Sequence, residues 1–166
     1  MRAATLHPAV AIQPQLPVGT VAGAPCIDPS AFEVRFEIVR RDTQFRGRVR
    51  ITGVVKNIGT APFTCNPGSM QASAHLYEVP AGATSGGTLR GHTDFAALPV
   101  AGSVVVSYER DWDSSSPSEG EFPPSYRLMV VYDPDITLDG NPANDDCKMN
   151  NNDKLRSGTE INALLQ

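Results

Sequence analysis

The chain has 166 residues, 40% of them hydrophobic and 19% charged, with a formal net charge of -4. Those values support one packed domain with material to spare for tails and argue against wholesale disorder. The 14 basic residues are interspersed with 18 acidic ones, so no basic face marks a nucleic-acid partner. No apolar run is long enough to span a bilayer.

Glycine and proline number 14 each, which fits short strands joined by turns better than long helices. Residues 1–25 are rich in Ala, Pro, Val and Gly and lack periodicity, so they are expected to form a flexible arm or linker. They contain no continuous apolar stretch of the kind that drives export. The remainder, 26–166, reads as the folded domain.

Phe32, Val34, Phe36 and Ile38 alternate with Glu33, Arg35 and Glu37, which predicts a first strand. A second runs from about Phe45 to Lys56, with Val49, Ile51 and Val55 inward, Arg48, Arg50 and Lys56 outward, and a bulge at Gly53. Arg46, Arg48 and Arg50 are therefore expected on a solvent face. Asn57 to Thr60 makes a turn, and the loop Ala61–Ser69 carries Cys65. The third strand covers about Gln71–Val79, with Ala72, Ala74 and Leu76 on one face and His75 and Tyr77 on the other. A weaker fourth covers Thr88–Phe95, and a fifth covers Ser103–Trp112.

The sixth strand has the clearest pattern: Tyr126, Leu128, Val130 and Tyr132 alternate with Arg127, Met129 and Val131 until Asp133-Pro134 ends it. The seventh is expected over about Lys154–Ile161. Glu160–Leu165 has helical spacing but is too short to hold a helix alone. Seven turn-punctuated strands predict an all-β fold, an antiparallel immunoglobulin-like β-sandwich.

Several short motifs then point to a family. Val-Val-Lys-Asn-Ile-Gly-Thr-Ala-Pro (54–62), Leu-Pro-Val-Ala-Gly-Ser-Val-Val-Val-Ser-Tyr (98–108), Val-Val-Tyr-Asp-Pro-Asp (130–135) and Asn-Asn-Asn (150–152) resemble, in that order, the bacterial cell-adhesion-related (CARDB-type) domains. The resemblance covers about residues 32–162. It implies an immunoglobulin-like accessory module without catalytic residues, on exported or envelope-associated proteins. The chain departs from the family pattern in having cysteines, a longer connection after the sixth strand, and a single copy.

Following the strands alternately up and down places Cys26, Cys65 and Cys147 at one pole. No CxxC pattern is present, and His7, His75 and His92 lack ligand spacing, so zinc is not expected. A Cys65–Cys147 disulfide is the preferred pairing and Cys26–Cys147 the alternative; three unpaired thiols are the remaining possibility. Closing the ~80-residue loop of the preferred pairing would stabilise by about 4 kcal/mol in the chain-entropy model. A disulfide suits an oxidising compartment.

The loop 133–146 is crowded with acids and amides. Asp135, Thr137, Asp139, Gly140 and Asp146 fall in an EF-hand-like register, but Thr137, Pro142 and Asp146 do not fit that motif. A looser calcium site built from Asp133, Asp135, Asp139 and Asp145 is the alternative to a plain turn-forming loop. No nucleophile elbow, zinc-protease or phosphate-loop motif is present. Trp112 is expected to cap the core rather than line a carbohydrate- or protein-binding patch.

The function expected is a non-catalytic extracytoplasmic module (secreted, periplasmic or cell-surface) for adhesion, interaction or structure. Its partner would be a protein or cell-envelope component, and the chain itself a monomer. The alternatives are a calcium-dependent binding module and a hydrolase with an unrecognised site.

Overall fold

A computed structural model describes residues 23–166. The arm expected over 1–25 lies outside the described residues except for Gly23–Pro25, which are exposed. The strands are β1 (Pro29–Arg41), β2 (Arg46–Asn57), β3 (Phe63–Thr64), β4 (Ala72–Val79), β5 (Thr88–Phe95), β6 (Ala97–Leu98), β7 (Ser103–Asp113), β8 (Ser125–Tyr132) and β9 (Asp153–Ser157), followed by one helix, α1 (Thr159–Leu165). All ladders are antiparallel. The sheet orders are β1-β2-β7, β5-β4-β8-β9, and the short pair β3-β6.

Period-two alternation explains which side chains turn inward. Val34 from β1, Val49, Ile51 and Val55 from β2, and Val106 from β7 meet Ala74 and Leu76 from β4 and Tyr126, Leu128 and Val130 from β8 in a single core. Aromatic edges lock the two ends of that core. Phe63 packs on Phe95 and Tyr132 at one end, while Tyr126 packs on Phe36 and Trp112 toward the other.

Three departures from the sequence pattern have clear causes. Gly53 marks no bulge, because β2 pairs in unbroken register there. A Cβ at Gly53 would sit 2.6 Å from Leu128 Cδ1, so glycine lets β2 approach the facing sheet. The irregularities fall instead in β1, at Phe32 and Val39, and the first turns Phe32 out to 44% exposure beneath the Lys56 ammonium. The seventh strand ends at Ser157 rather than Ile161. Gly158 packs so close to Trp112 that a Cβ would lie 2.8 Å from the indole, and the chain then turns into α1. Burial of Ile161 and Leu165 holds this short helix, and Arg41 caps its last carbonyls at Leu164 and Leu165.

The outward face of β1-β2-β7 is a lattice of cross-strand ion pairs. Arg46 meets Asp113, Arg48 meets Asp111 and Glu109, and Arg50 bridges Glu109 and Glu37. The densest basic stretch of the sequence is thereby matched by acids on its neighbours. One edge of β1 is also closed, because Lys154 and Arg156 donate to the carbonyls of Phe32 and Val34.

The candidate functional site at the cysteine pole

Residues 26–28 clamp onto the turn that follows β2. Thr60 and Ala61 donate their backbone N–H groups to the Cys26 carbonyl (2.7 and 3.1 Å), Ile58 donates to Asp28 O, and Cys26 N donates to Thr60 Oγ1. Asn57 holds the turn from inside. Its Oδ1 accepts from Asp28 N and Gly59 N, and its Nδ2 donates to Ala61 O and Leu98 O, so all four bonding positions are used in full burial. A Cβ at Gly59 would overlap the Cys26 carbonyl. The Asn-x-Gly pattern is thus dictated by one buried amide and one close backbone approach. Asn57→Ala orphans two donors and two acceptors and is expected to lose about 2–3 kcal/mol, read as a shift of the urea midpoint at constant slope.

The disulfide joins Cys26 to Cys147, with Cα atoms 5.5 Å apart, and Cys65 is a buried free thiol. This corrects the preferred Cys65–Cys147 pairing in favour of the alternative. All three cysteines do gather at one end, but Cys65 faces the core. Its Sγ donates to Phe95 O and accepts from Gln71 N, whereas Cys147 lies at the surface beside Ile27, whose carbonyl accepts from Cys147 N at 2.8 Å.

The acidic loop does not converge on a point. Asp133, Asp135 and Asp145 are exposed, and no three of Asp133, Asp135, Asp139 and Asp145 bring carboxylate oxygens within 4.8 Å of one another. The calcium quartet expected from sequence is therefore not assembled, because Asp139 turns inward to organise amides. Its Oδ2 accepts from Asn66 Nδ2 (3.0 Å), Gln71 Nε2 (3.1 Å) and Asn144 Nδ2 (2.8 Å), and its Oδ1 accepts from Asn141 N. Asn141 in turn donates to Asn66 Oδ1, and Asn144 to Gln71 Oε1. Gly140, at φ +79°, supplies the left-handed step that brings Asn141 back onto Asp139. The result is a polar seal between the β3–β4 and β8–β9 connections.

The hydrogen bond from Asn144, then that from the Asn141 backbone, hold Asp139 below its ordinary carboxylate value of 3.8, against an opposing effect of desolvation. Because the folded-state value is depressed, the stability Asp139 contributes is complete above 3.8 and is lost as pH falls through the folded value. Asp139→Asn should therefore be less stable than the parent at neutral pH. Urea melts repeated well below pH 3.8 should show at least half of that gap closed.

A second polar group lies beside the disulfide. Asp146 Oδ2 accepts from Tyr132 Oη (2.9 Å) and Asn152 Nδ2 (2.8 Å), and Asp28 Oδ1 accepts from Asn151 Nδ2 (2.8 Å). The one set of three His, Cys, Asp or Glu ligand atoms that converges among the described residues is Cys26, Asp28 and Cys147. Bonded to each other, these sulfurs offer no thiolate.

Away from this pole, His75 stands on the outer face of β4, with Nδ1 3.2 Å from Tyr77 Oη and its ring beside His92. Desolvation and the His92 charge hold it below its ordinary value. On the inner side, Glu78 accepts from Arg90, Arg110 and Tyr126. Trp112 is 2% exposed and belongs to the core.

Sequence reading missed Asp28, Asn57, Asn66, Gln71 and Asn144. Asn57 and Asn150–Asn152 stood inside the quoted motifs, but nothing local marked their partners. Among the described residues, no helix is long and apolar enough to cross a membrane. Comparison of the chain with protein-family models, with curated proteins and with solved structures returns no match.

Proposed function

We propose that the chain is a non-catalytic, immunoglobulin-like module of an exported bacterial protein, of the CARDB-related kind, serving adhesion, presentation or assembly at the cell surface. Its partner is a protein or cell-envelope component, engaged by a monomer. The sheet orders support the fold: β1-β2-β7 facing β5-β4-β8-β9 is an arrangement a seven-stranded sandwich takes, with β3-β6 as an added clip.

The observation that carries the reading is the Cys26–Cys147 bond. It spans the domain from before β1 to the last long connection, and such bonds persist in oxidising compartments. Asp139 and Asn57 serve as structural braces at this pole, committed to backbone and amide partners.

Fractionation of producing cells, with thiols trapped by acid before lysis, tests the proposal. The chain is expected in the envelope or the medium with Cys26 and Cys147 oxidised. Recovery from the cytoplasm with three alkylatable thiols would overturn it.

A further inference from the structure

Asp28 is 1% exposed, and among the described residues it makes no ion pair. Its Oδ1 accepts from the Asn151 amide at 2.8 Å, and its Oδ2 accepts no hydrogen bond from the described residues. Buried ionised groups are ordinarily paired with an opposite charge or bound to a metal. One oxygen of this carboxylate lies within 4.8 Å of both Cys26 Sγ and Cys147 Sγ. Ligand atoms around a tetrahedral zinc ion, held at about 2.3 Å by sulfur and about 2.1 Å by oxygen, stand about 3.5–3.8 Å apart. The oxygen therefore has at most about 1 Å to close.

The backbones of all three residues are placed without help from the sulfur–sulfur bond. The Cys26 carbonyl accepts from Thr60 N and Ala61 N. Asp28 N donates to Asn57 Oδ1 while its carbonyl accepts from Ile58 N, and Cys147 N donates to Ile27 O. Cysteines 121 positions apart give no CxxC spacing, so the sequence does not announce the set.

We propose that, in the reduced chain, Cys26, Asp28 and Cys147 form a zinc site, in which the metal makes the link that the disulfide makes after oxidation. Two thiolates are soft ligands that favour zinc over calcium or magnesium, and the carboxylate completes three corners of a tetrahedron whose fourth is left to water. The ion also supplies the positive charge that Asp28 lacks among the described residues. As zinc enters, each thiol releases its proton to solvent and its sulfur bonds the metal. Oxidation takes one electron from each sulfur, forms the S–S bond and frees the ion. The reverse needs a dithiol, which is oxidised to its own disulfide while its two protons pass to the freed sulfurs or to solvent. Every chain passes through the dithiol state before its disulfide forms, so the site does not rest on the function proposed above. A chain that never meets an oxidant keeps the zinc form.

The test compares the full chain, oxidised, with the same chain reduced by a phosphine that is removed under argon before metal is added. Zinc should bind the reduced chain at one equivalent and protect two thiols from alkylation, while the oxidised chain binds none. Cobalt(II) in its place should show a thiolate-to-metal charge-transfer band, and reoxidation should release one ion per disulfide formed. Cys65→Ala should leave all of this unchanged, since that thiol faces the core. Asp28→Asn should still form the disulfide on oxidation but weaken zinc by at least about tenfold, the loss that even an outer partner of a ligand can bring. Where the reduced chain is unfolded, zinc should restore its native tryptophan emission. No zinc uptake by the reduced chain, a cobalt spectrum without the thiolate band, or uptake without recovery of the fold would overturn the proposal. Unchanged affinity in Asp28→Asn would do the same. If Asp28→Asn fails to fold, Asp28→Cys decides: a third thiolate should tighten zinc and strengthen the cobalt band, and an unchanged band removes position 28 from the site and the proposal with it.

Discussion

Replacing both Cys26 and Cys147 with Ser is expected to lower unfolding stability by about 4–5 kcal/mol, a large share of what a domain of this size possesses. The bonded residues are separated by 121 positions, so the bond closes a loop holding every strand from β1 through β8. In the chain-entropy model such a loop restricts the unfolded ensemble by about 5 kcal/mol, and native contacts set how much of that is realised. Here they favour full realisation. The Cys26 carbonyl is already fixed by Thr60 and Ala61, and Cys147 by the Ile27 carbonyl, so the two ends meet without the bond having to drag either into place. The urea slope should rise in the variant, because its unfolded state exposes more surface. Cys65→Ala removes a buried thiol and no covalent link, and is expected to cost about 1 kcal/mol. Intact mass after alkylation gives an independent reading: no thiol reacts in native protein, one reacts in denaturant, and three react once a reductant is added. A stability loss of comparable size from Cys65→Ala, with none from the double variant, would reassign the bond.

Much of the strand pattern was legible because it is local. Alternation at Val34–Phe36, Val49–Ile51, Ala72–Leu76 and Tyr126–Val130 marked strands that the structure contains, and the inward residues are those the alternation names. The pole could be located by counting strands. What period two does not carry is a partner's identity. Cys65 and Cys26 lie at the same end, and only the direction of each side chain, into the core or out beside Ile27, decides which one reaches Cys147. Asp139 resembles a metal ligand from its neighbours at 133–145, yet Asn66 and Gln71, which occupy it, stand 73 and 68 positions away. The β3-β6 pair has two residues per strand, too few for any alternation. The outward turn of Phe32 follows from a register shift against β2, which a single strand's sequence does not show.

Trp112→Ala is expected to cost about 3–5 kcal/mol, near the upper range for a single core truncation. The indole is almost fully enclosed at the end of β7 opposite the disulfide, and three parts of the chain converge on it. Tyr126 of β8 lies 6.5 Å away between ring centroids, the Arg110 guanidinium stacks 5.1 Å from the ring, and Gly158 leaves the gap the ring edge fills. Its Nε1 donates to Asn162 Oδ1 at 2.8 Å, and Asn162 Nδ2 donates onward to Glu119 O. One side chain thereby ties β7, the loop before β8 and α1 into a single unit, adding to the burial of Ile161 and Leu165 that holds the short helix. Trp112→Phe separates the two contributions. It keeps most of the apolar volume but orphans the buried Asn162 oxygen, so a smaller loss of about 1–3 kcal/mol is expected. As the chain's single tryptophan, Trp112 also reports its own surroundings. Native emission should be blue-shifted and insensitive to iodide, moving red only as the domain unfolds. Iodide-quenched native emission, together with an unchanged urea midpoint in Trp112→Ala, would return the residue to the surface and make it available for binding. The enclosed geometry instead makes it the fastening of the pole opposite the disulfide, so that covalent and packing constraints hold the two ends of the domain.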